Sequence, residues 1–191
     1  ILFKLFAVAQ ALFYELILNY YRFIQMKKYK LLIVTVTYKP DKKELTLFLN
    51  SYHRYNDLGD KAKLIIVDNS PQNSWEWRTF IQKYHDIDFI SNPSNPGFGA
   101  SNNIGFARYE SDYVLFINND VEFIEPLFTS LLKEFDKDTS IGCIGIHQKG
   151  GAPSFFLKMT APEGAKVDEF NQETHFISGA FMLFRSDLFV E

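Results

Sequence analysis

An apolar run in the middle of the chain is followed by three polar residues, two of which carry oxygen atoms that suit a metal ion. The run Tyr113–Ile117 is followed by Asn118, Asn119 and Asp120. The run predicts a buried strand, and the polar residues would then lie at its carboxyl edge, where open α/β sheets bind ligands. A carboxylate with a second oxygen ligand two residues earlier suits a hard divalent cation. The same three residues are also typical of an ordinary turn, because Asn and Asp bond their own backbone.

A loop rich in glycine and asparagine lies just upstream. Residues 95–105 read Asn-Pro-Gly-Phe-Gly-Ala-Ser-Asn-Asn-Ile-Gly, and they enter a helix predicted from Ala100 to Tyr109. Glycine lets the backbone approach a ligand closely, and the free N–H groups at a helix start favour anions such as a diphosphate. The sequence therefore places a phosphate-binding loop and a metal-binding carboxylate one after the other.

Alternating strands and helices would position these segments. Strands are predicted at Leu31–Thr37, at Leu64–Val67 with Asp68 at its end, at Ile87–Ser91 and before Asn118. Between them, Pro40 and Asp41 predict the start of one helix with Leu45, Phe48, Leu49 and Tyr52 on its apolar face, and a second helix is predicted over Trp75–Tyr84. This alternation predicts a parallel α/β sheet built by right-handed crossovers.

The pattern changes after Asp120. The predicted elements are a helix opened by Pro126, a strand at Ile141–Ile146, a turn at Gly150–Pro153, a polar loop over Lys158–Asn171, and a last strand at Phe176–Phe184 with Gly179 in its interior. Glycine inside a strand often marks the close approach of a ligand or of another backbone. Ser186 and Asp187 are expected to cap a further helix.

Four of these blocks, in this order, resemble family-2 glycosyltransferases of the GT-A fold. The blocks are Val36-Thr37-Tyr38, Val67-Asp68-Asn69-Ser70, residues 95–105, and Asn118-Asn119-Asp120 in place of an Asp-x-Asp motif. The chain is most similar to bacterial rhamnosyltransferase-type members that build cell-surface polysaccharides, over roughly residues 30–190. The resemblance implies a three-layer, Rossmann-like GT-A sheet, mostly parallel with a mixed C-terminal part.

The resemblance also implies an activity. A sugar would move, with inversion, from a dTDP- or UDP-sugar such as dTDP-rhamnose to a saccharide or lipid-linked acceptor. Asp68 would accept a hydrogen bond from the pyrimidine N3–H, a contact that only an acceptor atom can make. Thr37 and Tyr38 would line the same base pocket.

The remaining site residues follow from the resemblance in the same way. On the nucleotide side they are Asn95, Gly97, Asn103 and Asn118. Asp120 would hold Mg²⁺ or Mn²⁺ against the diphosphate and so stabilise the charge on the leaving nucleotide. Ser178 and Gly179 would lie on the acceptor side.

No residue matches the family's catalytic base. The base carboxylate would follow the Ser178-Gly179-Ala180 block, beyond Glu191. We therefore expect a domain that is incomplete at its C-terminal end. Loss of a general base costs typically ~10²- to 10⁴-fold in rate, so such a domain would bind nucleotide and transfer sugar poorly. Asn118 replaces the first acid of the motif, so we also expect a weaker metal affinity that depends on the diphosphate.

Residues 1–25 differ in character from the domain predicted at 26–191. They are apolar apart from breaks, and Lys4, Glu15, Asn19 and Arg22 fall within about 60° of one another on a helical wheel. These breaks argue against a membrane-spanning helix and predict an amphipathic one. It would pack on its own domain, contact a partner or second copy, or lie peripherally on the inner face of the membrane. The domain itself would be cytoplasmic.

Composition excludes several other classes. The 191 residues are 47% hydrophobic and 17% aromatic, which is incompatible with disorder, and the net charge of −3 gives no basic footprint for nucleic acid. The one cysteine, Cys143, lies in an apolar run and is predicted to be a small core residue, consistent with a reducing compartment. The four histidines are scattered without the spacing of zinc ligands.

Three alternatives stay open. An NAD-dependent oxidoreductase is disfavoured because Gly97-Phe98-Gly99 supplies two of the three fingerprint glycines and follows the third strand. A nucleotidyltransferase would need a glycine-rich loop after the first strand, where Tyr38-Lys39-Pro40-Asp41 has no glycine. The non-enzyme alternative is a truncated, catalytically silent domain that binds nucleotide or a partner.

Overall fold

The structure is a computed structural model that describes residues 28–71, 79–84, 86–146, 156–160, 171–173 and 179–189. Side-chain surroundings are described for all of these ranges except 156–160 and 171–173. The predicted amphipathic helix at 1–25, the boundary at residue 26, the turn at Gly150–Pro153, Ser178 and Glu191 lie outside the described residues. So do residues 75–78 of the helix predicted at Trp75–Tyr84; of its described part, Thr79–Ile81 is helical and residues 82–84 are not.

One sheet of eight strands forms the middle layer. In chain order the strands are β1 (Tyr29–Thr37), β2 (Ala62–Asp68), β3 (Asp88–Ser91), β4 (Ser111–Ile117), β5 (Ile141–Ile146), β6 (Phe156–Thr160), β7 (Asn171–Glu173) and β8 (Phe181–Arg185). Their order across the sheet is β3-β2-β1-β4-β8-β5-β6-β7. Strands β3, β2, β1 and β4 run parallel, whereas β8 pairs antiparallel with both β4 and β5. The predicted parallel sheet with a mixed C-terminal part is confirmed.

Three helices with complete bounds among the described residues cover the two faces of this sheet. They are α1 (Lys42–Tyr55), α2 (Phe98–Phe106) and α3 (Phe128–Lys137). The apolar residues of α1 and α3 pack with Ile33 and Ile66 on one face, while α2 approaches Val34 and Val67 on the other. The central strands are therefore buried on both faces, which explains their nearly continuous apolar runs.

The start of α1 confirms the predicted helix cap. The carboxylate of Asp41 accepts hydrogen bonds from the backbone N–H groups of Lys43 and Glu44, at 2.8 and 3.1 Å. These bonds satisfy two of the N–H groups that a helix start leaves unpaired. This cap fixes where the chain leaves β1 and turns into α1.

The C-terminal part corrects two of the predictions. Lys158–Thr160, predicted as loop, belongs to β6, and Asn171 begins β7. Strand pairing with β5 overrides the polar composition here, because strand formation depends on neighbours more than on intrinsic preference. Gly179 lies in a turn before β8 and not inside a strand, since Phe181 pairs with Ile117, the last residue of β4.

Several element ends differ by a few residues from the prediction. Helix α2 begins two residues earlier than Ala100, α3 begins at Phe128, two residues after Pro126, and Ser186–Phe189 forms a short 3₁₀ turn. Cys143 is buried at 4% exposure, as predicted. None of the described helices is both long enough and apolar enough to cross a membrane.

Candidate functional site

The carboxyl edge of the parallel strands collects the predicted site residues. Thr37 at the end of β1 pairs with Asp68 at the end of β2, and the register of β1 with β4 brings Asn118 to the same edge. Parallel strands make this convergence a direct consequence of the topology. Thr37 and Asp68, which are 31 positions apart in the chain, thereby become neighbours.

Asp68 is a buried carboxylate, and one of its two oxygens accepts several hydrogen bonds from the protein. It is 2% exposed. Its Oδ1 accepts hydrogen bonds from Thr37 Oγ1 at 2.9 Å, from Ser70 Oγ at 2.6 Å and from the Ser70 backbone N–H at 3.2 Å. Oδ2 receives none of these bonds, so it is the oxygen that can accept a hydrogen bond from a ligand N–H.

The loop after β1 is tied into the same arrangement. The backbone N–H of Lys39 donates to Ser70 Oγ at 2.7 Å, and Lys39 has a positive φ of 44°. Thr37 is buried and oriented toward Asp68, whereas Tyr38 is 54% exposed. Thr37 therefore orients the carboxylate, and Tyr38 offers an aromatic surface at the edge of the sheet.

Backbone strain concentrates in the loops at this edge. Among described non-glycine residues, the positive φ values are those of Lys39 and Asn95, each 44°. Gly97 has a φ of 100° and occupies the N-cap position of α2. Residues in left-handed conformations persist only where surrounding structure imposes them, and such positions often cluster at functional sites.

A buried polar network holds the loop and α2 against the end of β2. The side chain of Asn69 bonds Ser101 Oγ at 2.9 Å, and Asn92 Nδ2 donates to Asn69 Oδ1 at 2.7 Å. Ser101 is fully buried and Asn69 is 3% exposed. The network joins the segment after β2 to the segment after β3 and to α2, and it places the start of α2 at the carboxyl edge.

The start of α2 has the character of an anion site. Gly97 contributes no side-chain cap. The first N–H groups of the helix therefore have no partner within it and can bind negative charge. Phe98, the first residue of the helix, is 45% exposed beside this position.

Close packing of α2 on the sheet depends on Gly105. A Cβ atom at this position would overlap the side chain of Val34 and lie 3.2 Å from Val67 Cγ2. The helix therefore approaches the sheet more closely than a larger residue would permit. This approach fixes the distance between α2 and strands β1 and β2.

The two adjacent asparagines of α2 have opposite environments. Asn103, the residue that the resemblance selected, is exposed on the outer side of the helix. Asn102 is 5% exposed and faces the interior. Sequence reasoning missed Asn102, although its position three residues before Gly105 is a signal that it shares the inner face of the helix.

The oxygen ligands for a cation lie just past β4. Asn118 is half-buried and its backbone N–H donates to the Ala180 carbonyl at 3.1 Å, while Asp120 is exposed. Within the described ranges, no group of three or more His, Cys, Asp or Glu residues could hold a metal ion. The pair fits a cation that takes its other ligands from diphosphate oxygens and water, as Mg²⁺ commonly does.

A cavity of about 700 Å³ lies at the opposite, amino edge of the sheet. Its lining includes Lys28 and Asp112, which form an ion pair at 2.7 Å, and Arg185, which pairs with Asp187 at 3.2 Å. These charges neutralise one another locally. The cavity is therefore separate from the polar groups that converge at the carboxyl edge.

Several solved structures have a fold similar to that of this chain. Residues 1–349 of S. aureus TarS are 18% identical, with a TM-score of 0.55, covering 83% of this chain and 48% of that one. The mannosyltransferase PcManGT from Pyrobaculum calidifontis, in complex with GDP-Man and Mn²⁺, is 12% identical, with a TM-score of 0.60, covering 95% and 55%. GalNAc-T7 with UDP, GalNAc and Mn²⁺ is 11% identical, with a TM-score of 0.60, covering 84% and 35%.

These similarities confirm the GT-A sheet, and the chain spans about half of the length of the first two structures. No curated protein matched the sequence. The model of one family, however, matches residues 32–191, which include the strand ends, the loop before α2 and the Asn118-Asn119-Asp120 segment. The chain therefore belongs to glycosyl transferase family 2.

Proposed function

We propose that this domain binds a nucleotide-sugar donor at the carboxyl edge of its sheet and transfers the sugar, with inversion, to a saccharide or lipid-linked acceptor. The observation that carries the proposal is the buried Asp68 carboxylate, whose Oδ1 accepts three hydrogen bonds while Oδ2 accepts none of them. The complexes of PcManGT with GDP-Man and of GalNAc-T7 with UDP support a nucleotide donor.

The base end of the donor would lie at the ends of β1 and β2. Asp68 Oδ2 accepts the N3–H of a uracil or thymine ring, and this contact favours UDP- or dTDP-sugars over cytidine nucleotides, which lack that donor. Tyr38 covers the ring from the exposed side. Thr37 and Ser70 hold the carboxylate in place, so no reorganisation is needed when the base binds.

The diphosphate would lie between the start of α2 and the end of β4. The backbone N–H groups after Gly97 bind phosphate oxygens, and the positive φ values of Asn95 and Gly97 shape the loop around them. Asp120 and the amide oxygen of Asn118 would hold Mg²⁺ or Mn²⁺. When bound, the cation neutralises charge that develops on the departing nucleotide.

Further parts of the proposal concern the sugar and the setting. We assign dTDP-rhamnose as the donor. We assign a molecule in cell-surface polysaccharide synthesis as the acceptor. Gly179, exposed in the turn before β8, and Ser178 would lie on the acceptor side. We place the reaction in the cytoplasm, with residues 1–25 as the contact to the inner membrane surface or to a second copy. Asn103, which is exposed on the outer side of α2, would contribute to nucleotide binding, as the resemblance implies.

Calorimetry tests the nucleotide and metal roles together. UDP and dTDP are titrated into the protein with and without Mn²⁺, with NAD in parallel. We expect binding of a pyrimidine diphosphate that Mn²⁺ strengthens, and we expect Asp120→Ala to abolish the strengthening. Asp60→Ala, at an exposed acid in the turn Gly59–Lys61, is the matched control and should behave as wild type.

The outcomes separate the competing functions. Binding of NAD without binding of UDP or dTDP would contradict the proposal and favour an oxidoreductase. Nucleotide binding with no release of UDP or dTDP from a sugar nucleotide, even at the ~10²- to 10⁴-fold lower rate expected without the general base, would favour the catalytically silent alternative. Metal-dependent binding together with sugar transfer supports the proposal in full.

A further inference from the structure

Two buried side-chain oxygens have no hydrogen-bond partner among the residues whose side chains are described. They are Thr35 Oγ1 and Asn102 Oδ1. A buried polar atom without a partner lowers the stability of a protein, so each such atom in a folded domain needs an explanation. The positions of these two atoms differ, and the difference points to a ligand at one of them.

Thr35 lies inside the core. It is fully buried in the middle of β1, on the face shared with Ile33, which packs with α1 and α3. Side chains alternate between the two faces of a strand, so Thr35 points away from α2. Its surroundings offer a ligand no approach.

Asn102 lies on the other face of the sheet, near the strand ends. It precedes Gly105, which contacts Val34, by three residues, so it sits about one helical turn closer to the carboxyl edge. It also shares a helix face with Phe106, four residues later, whose ring lies 5.4 Å from that of Phe189. Phe189 in turn contacts Phe116 of β4 at 5.8 Å between ring centroids.

The contacts of Gly105 with Val34 and Val67 place α2 over β1 and β2, and β4 lies next to β1 in the sheet. Val34 pairs with Phe116, so the next residues of the two strands on this face are Val36 and Asn118. The neighbouring Ser101 is also buried and is paired with Asn69, just after β2, at 2.9 Å. Of these two adjacent buried residues, Ser101 has a partner, whereas the amide oxygen of Asn102 has none among the described side chains, on the helix whose start is the proposed diphosphate site.

We propose that Asn102 is a donor-binding residue whose side-chain amide bonds a hydroxyl group of the nucleotide sugar. This inference rests on the function proposed above. The unpaired atom is an acceptor, and phosphate oxygens carry no hydrogen to donate at neutral pH, whereas hydroxyl groups do. A hydroxyl group both donates and accepts, so it satisfies the amide in either orientation. The ribose and the transferred sugar are the two sources of such a group.

Calorimetry with Asn102→Ala distinguishes these two sources. The probes are UDP, dTDP, UDP-glucose and dTDP-rhamnose. We expect about a 5- to 10-fold loss of affinity, as one neutral hydrogen bond typically provides. A loss already present with UDP or dTDP assigns the ribose, while a loss confined to a sugar nucleotide assigns the transferred sugar. Unchanged affinity for every probe that the wild type binds would overturn the inference and leave the proposed function intact.

A wild-type protein that binds none of the probes would instead overturn the proposed function, and this inference with it. Two variants control for structural effects. Thr35→Val removes the other unpaired oxygen and should raise the melting temperature without changing affinity. Ser101→Ala breaks the network with Asn69 and should lower the melting temperature.

The melting temperature of ligand-free Asn102→Ala distinguishes a role in binding from a role in supporting the fold. Because the amide oxygen has no partner among the described side chains of the free protein, we expect the melting temperature of Asn102→Ala to stay at or above that of the wild type. A fall as large as that of Ser101→Ala would show that Asn102 supports the fold, and would contradict a role in donor binding.

Discussion

The Asp68 carboxylate has a structural role in the fold and, in the proposed function, also binds the base of the nucleotide. Its Oδ1 accepts three hydrogen bonds from Thr37 and Ser70, which join the ends of β1 and β2. The adjacent Asn69 side chain extends the polar contacts to Ser101 of α2. A substitution at position 68 therefore has to be judged by whether it keeps the acceptor oxygen, the negative charge, or neither.

Asp68→Asn and Asp68→Ala should separate these two functions. Asn keeps an acceptor at the position of Oδ1, so we expect stability close to that of the wild type and weaker binding of UDP or dTDP. Ala leaves the buried donors of Thr37 and Ser70 unpaired, and we expect a loss of about 1–3 kcal/mol in the free energy of unfolding. Urea denaturation and calorimetry on the same samples measure both effects. Equal destabilisation by both variants would contradict this account.

Cys143 provides a second prediction at the level of one residue. Burial raises the pKa of its thiol to about 12, even though a backbone hydrogen bond from Leu183 acts in the opposite direction. The reactive thiolate is therefore almost absent at pH 8. We expect a thiol reagent such as DTNB to label the folded protein far more slowly than the same protein in guanidinium chloride. Equal labelling rates would show that the thiol is accessible.

At the scale of a single element, helix α2 both packs on the sheet and carries the proposed diphosphate site at its start. Its inner face carries Gly105, where there is no space for a Cβ atom, while Gly99 near its start has no heavy atom within 4 Å of a Cβ position. The helix therefore combines one position that requires glycine for packing with one that does not. In the proposed function, its distance from the sheet sets where the N–H groups after Gly97 would meet the diphosphate.

Gly105→Ala and Gly99→Ala form a matched pair within this helix. We expect Gly105→Ala to lower the free energy of unfolding by about 1–3 kcal/mol, because the added methyl group overlaps Val34. Gly99→Ala should be neutral or stabilising by up to about 1 kcal/mol, since alanine favours a helix over glycine. Thermal and urea unfolding check both values. Similar effects of the two variants would mean that α2 does not pack as described.

At the scale of the whole molecule, Asp88 connects elements at the amino edge of the sheet. Its carboxylate pairs with Lys63 Nζ of β2 at 2.6 Å and accepts a hydrogen bond from Tyr109, just before β4, at 2.6 Å. Burial alone would raise the pKa of Asp88, but hydrogen bonds from Lys63 and Tyr109 and the charges of Lys63 and Arg108 outweigh it. The pKa in the folded protein is therefore below its ordinary value.

This shift makes stability depend on pH with a definite sign. A carboxyl group with a lowered pKa stabilises the fold above its unfolded pKa of about 4, and this contribution is lost as the pH falls through the folded pKa. We expect Asp88→Asn to cost about 1–3 kcal/mol at pH 7, and we expect the difference from wild type to shrink below about pH 4. Urea unfolding at a series of pH values tests this. Asp60→Asn should show no comparable effect, and a constant difference for Asp88→Asn would contradict the assignment.

The sequence by itself determined the central strands and their polar ends. A parallel strand covered by helices on both faces must be apolar along its length, so β1, β2 and β4 are visible as runs, and Thr37, Asp68 and Asn118 stand where those runs stop. The cap at Asp41 and the burial of Cys143 follow from equally local patterns. The order of the segments then placed these strand ends at one edge.

Only the tertiary structure decided features that depend on partners far apart in the chain. The pairing of β6 with β5 makes Lys158–Thr160 a strand despite its polar sequence, and the end of β4 fixes where β8 begins. Packing of Gly105 on Val34 determines that Asn102, and not Asn103, faces the interior. These outcomes arise from contacts between segments that are distant in the chain. A local pattern of residue types does not determine which distant segment will pack against it.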